Sequence, residues 1–157
     1  MHVGAEQWIY GAVFAAAMLI SLFAWLKGDR PARLAGFAYG LCWLIGTVAI
    51  VVSAVGRGQF QQPTGLAMAT NAATAAAFLY LTLRYNSPWL CAALVAQGGQ
   101  LGLNVVRRTE GVSTGILLPQ LLLGGMFVLE LAIMACLAGA TLSAMARRRR
   151  AQAAQAA

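Results

Sequence analysis

The sequence predicts an all-α membrane protein: a bundle of five transmembrane helices with its N-terminus outside and its C-terminus cytoplasmic. Three observations carry that prediction. First, 61% of the 157 residues are apolar and only 10% are charged, whereas a soluble domain is about a quarter charged. A soluble chain of this size keeps too much of its area in water to hide so much apolar surface. Second, the apolar residues gather in five long runs separated by short segments rich in Gly, Pro and Arg. Lipid admits only helices or closed barrels, and runs that do not alternate exclude a barrel. Third, the basic residues are shared unevenly. Five crossings put Lys27, Arg30, Arg33, Arg84 and Arg147–Arg150 on one side, against Arg57, Arg107 and Arg108 on the other. The positive-inside rule then makes the first side cytoplasmic.

The expected spans are 8–26, 34–55, 65–83, 88–106 and 116–146, forming a single integral membrane domain. The first four are each near the ~20 residues that cross the hydrocarbon. The first carries Trp8 and Tyr10 at one end and Trp25 at the other, the pattern of interfacial belts. No Lys or Arg precedes Trp8, so a cleaved signal peptide is not expected. Lys27-Gly28-Asp29-Arg30-Pro31 ends the first span. The segment 56–63, with two glycines and Pro63, separates the second span from the third. Arg84-Tyr85-Asn86-Ser87-Pro88 reads as a tight hairpin turn, flanked by the belt residues Tyr80, Tyr85 and Trp89. The fourth span has the lowest hydropathy, because Gln97, Gln100 and Asn104 interrupt it. Its crossing is supported by the charge split: without it, the first loop and Arg147–Arg150 lie on opposite sides. The fifth run is about 31 residues, or ~46 Å at 1.5 Å per residue, so it tilts or continues past the hydrocarbon. Pro119 suits a first helical turn. The Ala/Gln tail after Arg150 is expected to fray.

Chemically active residues are scarce. The chain has one histidine, His2, one aspartate, Asp29, and the glutamates Glu6, Glu110 and Glu130. Haem ligation by paired histidines is excluded within one chain, and Cys42, Cys91 and Cys136 form no metal-ligand spacing. Most acid–base mechanisms need two converging titratable groups. The expectation is therefore a non-enzyme without cofactor or metal. A pI near 10.2 reflects topology, and no nucleic-acid module accompanies it.

Glu130 is the sharpest feature, because it falls about 14 residues into the fifth run, near mid-membrane. An ionised side chain there costs about 2.5–3.5 kcal/mol on insertion scales. It is therefore protonated, paired or facing a wet cavity. It reads either as a proton or cation site or as a neutral acid bonded to an amide on a neighbouring helix. Gln97, Gln100 and Asn104 share one helix face. With Asn71 and Gln120 they outline a polar funnel from outside towards Glu130, or interhelical glue. Gly36 and Gly40, Gly98 and Gly102, and Gly125 and Gly139 mark small-residue packing faces, mostly within the chain, with a partner protein or a homo-oligomer as the alternative. Arg147, Arg148, Arg149 and Arg150 read as a membrane-surface anchor.

Two functions fit. The leading expectation is a non-catalytic accessory or scaffolding subunit of a membrane complex, in a bacterial inner (plasma) membrane. The alternative is a small oligomeric transporter or channel with Glu130 as its coupling site and a path lined by Gln97, Gln100, Asn104 and Asn71.

Overall fold

The computed structural model describes residues 5–57, 64–109 and 117–156. They form five helices: α1 (Ala5–Lys27), α2 (Arg30–Arg57), α3 (Thr64–Tyr85), α4 (Pro88–Thr109) and α5 (Leu117–Ala156). All five are long and apolar enough to cross a membrane. The expected crossings lie within these helices, and residue 116, the first of the fifth, lies outside the described residues. The ends differ for local reasons. Helix α2 starts at Arg30, not Leu34, because Asp29 caps it: Ala32 N donates to Asp29 Oδ1 at 3.2 Å. Helix α4 starts at Pro88, a first-turn proline that gives up no needed N–H. Before it, Asn86 adopts φ 45°. Asparagine tolerates this left-handed conformation, and it turns the chain in two residues.

The Ala/Gln tail corrects the expectation of fraying. Helix α5 continues to Ala156 over 40 residues, since Ala, Gln and Arg are all strong helix formers. That is ~60 Å of helix, so the tail after Arg150 continues past the bundle end that Arg147 and Arg148 hold.

Each helix packs on its sequence neighbours, and α5 packs back on α1, so the five close a ring. Helices α2 and α5 also touch across it. Tyr39, Phe78, Leu90, Ile133 and Leu137 fill the centre, together with the polar Gln97 and Thr141. Thr141 is satisfied by its own helix, donating to Leu137 O at 2.8 Å. Large apolar side chains such as Leu19, Val52, Leu83 and Val95 point outward, as lipid-facing positions do. Gly36 and Gly40 bring α2 against α1. A Cβ on Gly36 would lie 2.8 Å from Ala24 Cβ, and one on Gly40 2.9 Å from Ser21 Cβ.

One end of the bundle is tied by charge. Arg147 reaches Asp29 Oδ2 at 2.9 Å, and Arg148 and Arg33 both donate to Gly28 O at 3.0 Å. The α1–α2 loop, the α3–α4 turn and the basic stretch of α5 thus share this end. They enclose a cleft of about 380 Å³ lined by Asp29, Ser87, Trp89, Cys136, Ser143 and Arg147.

Candidate functional site

The second span supplies the side chains that meet Glu130. Tyr39 and Trp43 are four residues apart, so they project from one face of α2 on successive turns. Trp43 Nε1 donates to Glu130 Oε1 at 2.6 Å, and the Tyr39 hydroxyl donates to the same oxygen. From the other side, Gln100 of α4 donates its amide to Glu130 Oε2. A longer contact runs from Gln100 Nε2 to Met126 O at 3.4 Å. Glu130 is half-buried, while Tyr39 and Gln100 are buried. One carboxyl group thereby joins α2, α4 and α5.

The electrical character of this site follows from its donors. Indole and amide N–H groups donate and cannot accept, so both carboxyl oxygens act as acceptors. All three donors are neutral. Among the described residues the one ion pair is Asp29–Arg147, at the bundle end. No described cation therefore balances Glu130. Three His, Cys, Asp or Glu side chains able to hold a metal do not come together among the described residues.

Aromatic rings wall the α1 side. Trp43 lies tilted against Tyr10, with centroids 5.8 Å apart, and against Phe14 at 6.3 Å. Tyr10 and Phe14 are themselves four residues apart on α1. Tyr10 was expected only as an interfacial belt residue; it remains 43% exposed but forms one wall of this site.

The expected polar funnel divides in two. Gln97 turns to α3, donating to Asn71 Oδ1 at 3.1 Å and Asn71 O at 3.4 Å. That pair is bonded to itself and not to Glu130. Gln100 alone of the amides reaches the acid. Asn104 lies one turn beyond Gln100, 7% exposed, and its Nδ2 has no hydrogen-bond partner. The Gln120 side chain lies outside the described residues, although its position is within α5.

The glycines differ from one another. Gly125 meets Leu103 of α4, where a Cβ would lie 3.2 Å from Leu103 Cδ1. Gly98, Gly102 and Gly139 correct the expectation of packing within the chain: a Cβ on any of them meets no atom within 4 Å. In α4 the amide stripe takes the inward face, and helical phase turns Gly98 and Gly102 outward. Gly99 makes the close approach instead, where a Cβ would lie 3.0 Å from Leu129 Cδ1. Of the four terminal arginines, all exposed, Arg147 and Arg148 hold the α1–α2 loop, while Arg149 and Arg150 extend beyond it.

Tyr39, Trp43 and Phe14 were not singled out from the sequence. Their signal was present: two aromatic pairs at i and i+4, of which Tyr39 and Trp43 are set away from the helix ends where belts lie. A mid-membrane tryptophan needs a partner for its N–H, and Glu130 is the acid at matching depth.

Comparison with protein families, with curated proteins and with solved structures finds no match for this chain.

Proposed function

We propose that this chain is a small transport protein of the bacterial inner membrane, in which Glu130 binds a proton or cation in the working cycle. The observation that carries the proposal is a mid-span carboxyl group held by three neutral donors with no described counter-charge. A structural acid needs one amide partner. Three donors from two helices instead compensate an anion, whose charge has to be neutralised by something that arrives.

The geometry also accommodates the neutral form. A protonated Glu130 keeps Oε1 as the acceptor for Tyr39 and Trp43 and carries its proton on Oε2. Gln100 then turns its amide by half a rotation and offers oxygen in place of N–H. One glutamine thus serves both states of the acid. Asn104, buried and with an unpaired N–H one turn above, extends the polar route towards the end of the bundle opposite Asp29. The clustering of basic residues at the Asp29 end supports placing that end in the cytoplasm, so the route would open outward.

The accessory-subunit reading is favoured by one observation, the open outward face at Gly98 and Gly102 on α4. Infrared difference spectroscopy on reconstituted, glutamate-labelled protein separates the two. Transport predicts a Glu130 carboxyl band that titrates and shifts on exchange into heavy water, and that disappears in Glu130→Gln. A Glu130 that neither titrates nor exchanges overturns the transport proposal.

A further inference from the structure

The hydrogen-bond capacity of the Glu130 site restricts which cation it takes. Oε1 already accepts from Tyr39 and Trp43, and Oε2 from Gln100. A metal ion needs carboxylate oxygens turned towards it, with further oxygens around it. Here the nearest groups are the indole and amide N–H, which present hydrogen to the carboxylate and repel a metal. A primary ammonium has three N–H groups to satisfy; Oε2 has one lone pair left for the first, and the other two would require displacing Trp43 or Gln100. What the site does offer is an uncompensated negative charge beside the aromatic surfaces of Trp43, Tyr10 and Phe14. Charge and ring faces, with a single lone pair left on Oε2, match a cation that has no hydrogen to donate. Aromatic cages recognise quaternary ammonium groups in this way. Tyr10 is exposed, and Phe14 and Trp43 are half-buried, so the aromatic wall has open surface.

We infer that the Glu130 site binds a lipophilic organic cation of the quaternary ammonium or phosphonium class, an inference that rests on the transport reading above. The cation is held by Coulomb attraction to Glu130 and by the rings of Trp43, Tyr10 and Phe14. Where Glu130 starts protonated, one proton leaves to water for each cation bound, so charge balances at the site. No bond to carbon is made or broken.

The test uses the full chain in lipid nanodiscs with tetraphenylphosphonium as the probe, sodium and methylammonium as competitors, and proton release followed with a pH dye. Saturable binding is expected, with release of up to one proton per cation and little competition from sodium or methylammonium. Glu130→Gln, which retains an oxygen acceptor for Tyr39 and Trp43, should lose binding while staying folded. Phe14→Ala and Tyr10→Leu should each weaken binding roughly fivefold. Binding that survives Glu130→Gln overturns the inference. So does a Glu130 that exchanges its proton in the infrared experiment but gives no saturable probe binding, and that result leaves the transport reading standing. A Glu130 that neither exchanges nor binds the probe overturns both.

Discussion

Replacing Glu130 by leucine removes three hydrogen bonds at the α2–α4–α5 junction at once. Tyr39, 2% exposed, loses the acceptor of its buried hydroxyl. Trp43 loses the acceptor of its indole N–H. Gln100 keeps only its long contact to Met126 O. A buried donor left unsatisfied costs about 1–3 kcal/mol in soluble proteins, and interhelical hydrogen bonds in membranes contribute about 0.6–2 kcal/mol. Taking the membrane scale for two complete losses and one partial loss counted as half gives a destabilisation of about 1.5–5 kcal/mol. Relief from burying an uncompensated acid works against this, so the lower part of the range is the expected result. Glu130→Gln behaves differently. Its carbonyl oxygen still accepts from Tyr39 and Trp43, and its amide meets Gln100 once that amide turns, so its loss should stay below about 1 kcal/mol. Reversible unfolding in mixed detergent micelles, followed by helical circular dichroism, measures both. A Glu130→Leu protein as stable as the parent would refute the claim that this carboxyl group joins three helices.

The glycines give a paired prediction. Gly40→Leu should destabilise the protein by several kcal/mol or prevent assembly of α1 on α2, because even a Cβ there comes 2.9 Å from Ser21 Cβ. Gly102→Leu should leave monomer stability unchanged, as unfolding measured on both will show. At the charged end, Arg147→Gln should cost under about 1 kcal/mol, because the pair with Asp29 is solvent-exposed. Asp29→Ala should cost more, about 1–2 kcal/mol, because it also removes the cap of α2, whereas Asp29→Asn should restore most of that difference. Cysteine labelling in right-side-out vesicles, after removal of Cys42, Cys91 and Cys136, should find Gln61 and Glu110 outside and Arg147 inside. Gln61 and Arg147 labelled from one side would exclude five crossings with the N-terminus outside.

What the sequence made legible follows the strength of the physical constraint. The five helices are legible because each must satisfy its own backbone over the width of a bilayer, and that demand is written in long apolar runs. Even α4, diluted by three amides, is fixed by the charge split, because only its crossing brings Lys27–Arg33 and Arg147–Arg150 to one side. Glu130 is legible for the same reason, since an acid in an apolar run is expensive wherever its neighbours lie. Its partners are not. Tyr39 and Trp43 resemble ordinary aromatic residues of a span until the ring of helices turns their face towards α5, and that phase depends on how α1 seats against Gly36 and Gly40. The contrast in α4 makes the point within one helix. Gly98 and Gly102 carry the motif associated with packing, yet they face outward, because Gln97 and Gln100 cannot face lipid without losing their hydrogen bonds. Polar burial outranks small-residue packing when the two lie on opposite faces. By that rule α4 is oriented by Glu130 and Asn71, not by its glycines.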